Sequence, residues 1–278
     1  MLNTTSDSQP VTRYLSVSGG RIAYDLQGSG PLLLLLPGMG EIRATYRLLA
    51  PKLLAAGFTV ATADLRGHGD SDADFPSYGD VDTASDITAL LRQIGSPAVV
   101  VGNSMSAGSA VIAAAEHPEL VQALVLLGPF VRNSQNTSGA KRLLFRAMMA
   151  GPWAPWAWNG FVPTLYKGHK PTDFETYRSE MMEAMRRPGY NKAFRRTTAT
   201  DHTPAEHALP DVVAPSLILM GTEDPDFTDP TAEAAWIGKA LAGTVVMIDD
   251  AGHYPQSQQP QATADAVISF LQGVHRNA

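Results

Sequence analysis

Cysteine is absent from the 278-residue chain, which removes disulfides, thiolate nucleophiles and cysteine-ligated zinc from its chemistry. Clustered Lys and Arg are also missing. The formal net charge is -6, whereas a phosphate-binding surface needs concentrated positive charge, so no nucleic-acid partner is expected. The apolar run PLLLLLP at Pro31 to Pro37 is far too short to span a bilayer. The N-terminal MLNTTSDSQP lacks the basic start and apolar middle of a secretory signal, and the reading is a cytoplasmic protein without a membrane partner. What is present suits a folded core: 44% of residues are hydrophobic and 17% charged.

Apolar runs alternate with helical patterns along most of the chain. After two short strands around 14–17 and 22–26, joined at Ser18-Gly19-Gly20, strands are expected at 32–36, 58–63, 98–101, 121–127, 216–220 and 244–248. Helices are expected at 45–56, 80–94, 105–116, 232–241 and 262–271. Strands without polar alternation need cover on both faces, and the intervening helices supply it. The fold class is therefore α/β, with a doubly wound, mostly parallel sheet. The rhythm stops at Gly128-Pro129 and resumes near Pro215. Residues 1–129 and 210–278 read as the core, and 130–209, rich in Met, Trp and Arg, as an inserted helical cap across the strand ends, where such sheets bind ligands.

The segment AVVVGNSMSAG at Ala98 to Gly108 ends a buried strand on two serines. A nucleophilic serine belongs on a tight strand-to-helix turn, with small residues two positions before and after it. Ser104 has Gly102 and Ser106 in those places and follows the strand without delay, so it is the candidate nucleophile. Ser106 would lie too deep in the helix, and Ser106→Gly is expected to be tolerated.

Such a hydroxyl needs a general base, and the base needs a carboxylate to fix its tautomer. Of seven histidines, His253 in DDAGHYPQ lies between the last strand and the last helix, on a loop at the strand ends. His68 sits in the turn RGHGDS and His117 at a helix end; His169, His202 and His207 lie in the insert and His275 in the tail. For the acid, GTEDPDF follows the 216–220 strand, and Asp224 is the choice. Asp226 and Asp229 compete closely, Glu223 more weakly, and Asp229 also suits the cap of the next helix. The developing oxyanion needs two backbone N–H donors. Met105 opens the helix after the nucleophile, and Met39 lies in PGMG after the 32–36 strand.

These motifs together resemble the α/β-hydrolase superfamily: the PG loop, D-x-R-G-x-G-x-S at Asp64 to Ser71, the elbow GNSMS, GTEDP, AGHYP and the inserted cap. Two departures are visible, Ser106 where the elbow usually has glycine and Pro37-Gly38 where the family usually has His-Gly. The resemblance implies acyl transfer by Ser104, Asp224 and His253, without cofactor or metal, with the Asp64 to Ser71 segment structural. The implied pocket is apolar, lined by Met39, Met105 and the cap residues Trp153, Trp156 and Trp158, and fits small or medium esters or lactones. The alternatives are a carbon–carbon hydrolase of ring-fission diketones, with Arg186, Arg187, Arg195 or Arg196 holding a substrate carboxylate; a perhydrolase; and a small-molecule receptor with a slow hydrolase site. Activity is expected to fall at low pH as His253 takes up a proton, its ordinary pKa being about 6.5.

Overall fold

A computed structural model describes residues 11–95, 97–133 and 139–277. The antiparallel pair β1 (Arg13–Val17) and β2 (Gly20–Gln27) flanks six parallel strands: β3 (Leu32–Leu36), β4 (Thr59–Ala63), β5 (Ala98–Asn103), β6 (Val121–Leu127), β7 (Ser216–Gly221) and β8 (Thr244–Ile248). Their order is β1-β2-β4-β3-β5-β6-β7-β8, with β2 antiparallel to β4. Because side chains alternate across a strand, Leu32, Leu34 and Leu36 enter one buried cluster and Leu33 and Leu35 the other. Helices α2 (Asp80–Ile94), α3 (Met105–Glu116) and α9 (Pro230–Ala240) cover the first face; α1 (Ala50–Ala55) and α11 (Pro260–Asn277) cover the second. This two-sided cover is why the strands carry no polar alternation.

From β3 the chain turns to one side for β4, then crosses back so that β5 pairs with the other edge of β3. The C-terminal ends of β3 and β5 thus border the crevice in which doubly wound sheets bind ligands. Between β6 and β7 lie α4 (Gly139–Ala150), α5 (Ala154–Leu165), α6 (Phe174–Met185), α7 (Tyr190–Thr197) and α8 (Thr203–Ala208). Helices α4 to α7 share an apolar cluster built on Trp158, Val162, Phe174, Met181 and Phe194, which Tyr254 and Met39 join from the core, while Ala205 of α8 packs into the first core cluster.

Strand limits shift by one or two residues, and the helices differ from the sequence reading in three places. The helix expected at 45–56 divides into a 3-10 turn, Arg43–Tyr46, and the short α1. Tyr46 is held by its hydroxyl to Leu36 O at 2.7 Å, and Pro51 stands in the first turn of α1, where its missing N–H costs nothing. Helix α9 starts two residues early, capped by Asp229, whose carboxylate accepts the Ala232 N–H at 2.9 Å. A short α10 (Pro255–Gln258) precedes the last helix, which runs on to Asn277.

Candidate active site

Strand β5 ends at Asn103, and Ser104 then takes φ 57° and ψ −122°, a conformation that costs a residue with a Cβ of order 1–3 kcal/mol. The turn is tight because helix α3 starts immediately. A Cβ on Gly102 would stand 2.5 Å from Ser106 O and 2.7 Å from Ala107 N, so only glycine fits there. The strained turn is fixed by main-chain bonds, Ser104 N to Leu127 O at 2.9 Å and Phe130 N to Ser104 O at 3.2 Å. Among the described residues no hydrogen bond ends on Ser104 Oγ.

Ser106 has a role the sequence reading missed. Its buried Oγ accepts the Asn103 N–H at 3.0 Å and lies 2.9 Å from the carbonyls of Leu36 and Asn103, tying the end of β3 to the elbow. Glycine would leave the Asn103 N–H unpaired in a dry site. Ser106→Gly is therefore expected to destabilise the fold by about 1–3 kcal/mol, read as a lower urea midpoint, rather than to be neutral.

The loop after β8 carries His253, and the loop after β7 carries Asp224 and Asp226. His253 Nδ1 meets Asp224 Oδ2 at 2.8 Å and Asp226 Oδ2 at 3.5 Å, and both His253 and Asp224 are buried. Asp224 is steadied through its other oxygen, which accepts the Asp226 N–H at 3.0 Å. Gly128 makes the pair possible: its φ is 49°, and a Cβ would come within 3.2 Å of His253 Nδ1. The elbow and the histidine loop are joined by Asn103, whose Nδ2 donates to Leu127 O at 2.9 Å and His253 O at 3.2 Å. Asn103 is a second functional contact missed from sequence, where it reads only as the residue before the nucleophile.

Electrostatics around His253 are unusual. Burial pulls the imidazole down, but the charges of Asp224 and Asp226 outweigh it and push its pKa up to about 9. Burial raises Asp226 to about 6 against the attraction of His253. Ligand atoms of Asp224, Asp226 and His253 all lie within 4.8 Å of one another, the donor types of a metal site. The Nδ1 to Oδ2 separation of 2.8 Å is that of a hydrogen bond, the contact by which a carboxylate orients an imidazole.

The loop after β3 reaches the elbow from the other side. A Cβ on Gly38 would lie 3.0 Å from the Ser104 Cβ, so the loop presses directly on the serine. Gly40, with φ 76°, donates its N–H to His68 Nε2 at 3.0 Å and accepts from the Trp158 indole at 3.1 Å. Burial lowers His68 to about 4; the ring is neutral, with Nδ1–H to Arg66 O at 3.1 Å and Nε2 left to accept. The Gly40 N–H is taken by His68 and the Glu41 N–H by Gly38 O at 3.2 Å, whereas the N–H groups of Gly38 and Met39 have no hydrogen-bond partner among the described residues. The Asp64 to Ser71 segment thus braces the loop: Asp64 accepts the N–H of Arg43 at 2.7 Å and of Asp70 at 2.9 Å, and pairs with the Arg43 guanidinium.

Glu41, next in the loop, is wholly buried and receives the Tyr177 hydroxyl, while its Oε1 has no hydrogen-bond partner among the described residues. Burial lifts its carboxyl to about 7. Its ordinary pKa is lower, so between about pH 4.5 and 7 the folded state holds a proton the unfolded chain has lost, and stability falls as pH rises. The span is worth about 3 kcal/mol. Glu41→Gln is expected to flatten this slope when urea unfolding is compared at pH 5 and pH 8.

Of the three candidate tryptophans, the structure brings Trp158 alone to the loop. Trp153 and Trp156 are exposed on the outside of the insert, as are Arg186, Arg187, Arg195 and Arg196. A second carboxylate–imidazole pair, Asp80 Oδ2 to His202 Nδ1 at 2.8 Å, joins α2 to the insert, with His202 stacked on Phe130.

A model of the alpha/beta hydrolase family matches residues 33–266. The chain belongs to that family. Among its relatives in this hydrolase family is the 2-(acetamidomethylene)succinate hydrolase of Mesorhizobium japonicum, 28% identical over 268 residues, covering 91% of this chain and 92% of that protein. A pimeloyl-[acyl-carrier protein] methyl ester esterase of Neisseria meningitidis is 28% identical over 246 residues, 86% of this chain and 76% of that one. The solved bromoperoxidase of Bacillus anthracis superposes with a TM-score of 0.82 over 95% of this chain and 100% of its own at 20% identity, a likeness of fold alone. This alpha/beta hydrolase is an enzyme of hydrolysis, and no helix among its described residues is long and apolar enough to cross a membrane.

Proposed function

We propose that the chain hydrolyses small to medium, largely apolar carboxylic esters or lactones through an acyl-enzyme on Ser104. The observation that carries this reading is the buried Asp224–His253 pair, whose histidine backbone Asn103 joins to the elbow where Ser104 stands at positive φ. Neutral His253 takes the Ser104 Oγ proton at Nε2 as the oxygen bonds to the substrate carbonyl carbon. Negative charge moves to the carbonyl oxygen, where the N–H groups of Met39 and Met105 receive it. The carbon–oxygen bond to the leaving group breaks, and the His253 proton goes to the departing alkoxide. Water, deprotonated by the same imidazole, then adds to the acyl carbon; the bond to Ser104 Oγ breaks, the imidazolium proton returns to that oxygen, and the acid is released.

Residues 130–209 act as a cap over this site, and Trp158 supplies its apolar wall together with Met39. The carbon–carbon hydrolase alternative needs a cation inside the pocket. The four arginines considered for that task are exposed, and Arg187 is engaged with Gly69 O at 2.6 Å and with Asp70. A panel of p-nitrophenyl esters, lactones and a vinylogous diketone tests the reading. Turnover of esters or lactones is expected. Cleavage of the diketone alone would favour the carbon–carbon reading, and thermal stabilisation by the panel without turnover would favour a receptor.

A further inference from the structure

The two tryptophans left outside the site stand on the outer surface of the insert. Trp153 is 54% exposed, Trp156 79% and Leu144 of α4 70%, and neither of these indoles has a hydrogen-bond partner among the described residues. Helix geometry explains the position of Trp156: Ala154, Trp158, Val162 and Leu165 form the buried side of α5, and Trp156 lies opposite. Helix α7 is divided in the same way. Tyr190, Ala193, Phe194 and Thr197 are buried, while Lys192, Arg195 and Arg196 face outward.

The apolar and basic parts form one surface. Asn191 Nδ2 donates to Pro152 O at 2.9 Å, beside Trp153. The three cations of α7 share a surface groove of about 420 Å³ with Met149 and Ala150, at the end of α4. Countercharge is sparse: Lys192 Nζ lies 3.5 Å from Asp74, Arg196 donates to Pro76 O at 3.4 Å, and Arg195 has no ion-pair partner among the described residues. In a chain of net charge -6, residues 120–172 contain no Asp or Glu.

We propose that this face docks on the surface of a bilayer containing anionic lipid, with Trp153 and Trp156 at headgroup depth and Lys192, Arg195 and Arg196 against lipid phosphates. The composition fits that occupant. Indoles with free N–H groups match an interface that is apolar on one side and wet on the other, and adjacent cations add attraction to anionic lipid. A protein partner seats an indole in a pocket of its own, and the vesicle experiment separates that occupant from a lipid surface. The inference departs from the expectation of no membrane partner and is independent of the proposed reaction.

The test is co-sedimentation of the full chain with phosphatidylcholine vesicles prepared with and without phosphatidylglycerol, together with its tryptophan emission. Binding to the anionic vesicles with a blue shift is expected, weakened by salt. The double variants Trp153→Ser/Trp156→Ser and Arg195→Glu/Arg196→Glu should each lower the partition by about tenfold or more, with Tm unchanged because all four side chains are exposed. Absence of binding to the anionic vesicles overturns the proposal. So does binding that is indifferent to the tryptophan pair, which would mark a surface for polyanions or acidic proteins instead.

Discussion

Ser104→Ala is expected to lower kcat for ester hydrolysis by roughly 10³- to 10⁶-fold, the scale of nucleophile removal where the other groups remain. Stability should hardly change. Alanine also carries a Cβ at φ 57°, so the strain of the elbow persists, and Ser104 Oγ has no hydrogen bond among the described residues to lose. Ser104→Gly completes the comparison. It should be equally inactive but more stable than the alanine variant, because glycine adopts positive φ without the steric cost. Loss of activity together with loss of fold in both variants would point to a structural serine. Activity surviving in both would leave Ser104 outside the chemistry.

The acid pair gives the second large effect. Asp224→Asn should cost about 10⁴-fold in kcat, since an amide in place of Oδ2 no longer fixes the His253 tautomer or balances the imidazolium. Asp226→Asn should leave most of the rate intact while moving the pH profile. The sign follows from the base role: His253 works only when neutral, so kcat/KM rises with pH as the ring loses its proton. With burial outweighed by two carboxylates, that limb is expected near pH 9 and not near the ordinary histidine value of about 6.5. Removing the Asp226 charge, 3.5 Å from Nδ1, makes the imidazolium easier to deprotonate and shifts the limb to lower pH. A pH series of kcat/KM for the wild type and both variants measures this. A large loss in Asp226→Asn with little in Asp224→Asn would exchange their roles.

Much of the fold is legible because its rules are local. Five consecutive leucines at Leu32 to Leu36 can only be buried on both faces, and Gly102 sits where the helix that follows it by three residues leaves no room for a Cβ. The order of nucleophile, acid and histidine follows from which loops leave the same ends of parallel strands. What stayed hidden depends on contacts distant in sequence. Ser106 looked like a substitute for glycine because Leu36 O, its partner, is 70 residues away. Tyr46 ends a helical pattern by reaching for the same carbonyl. Glu41 is one acid in a loop until Tyr177, 136 residues on, buries it. The WAPWAW segment has three tryptophans, and the helical period of α5 decides that Trp158 points inward and Trp156 outward.

The most direct measurement is reaction of the protein with a fluorophosphonate, followed by peptide mass spectrometry. A single adduct on Ser104 is expected, formed faster as pH rises toward 9 and nearly absent in Asp224→Asn. An unlabelled Ser104 in protein that still turns over esters, or an adduct carried by Ser106 instead, would contradict a nucleophile raised at the end of β5 and served by His253.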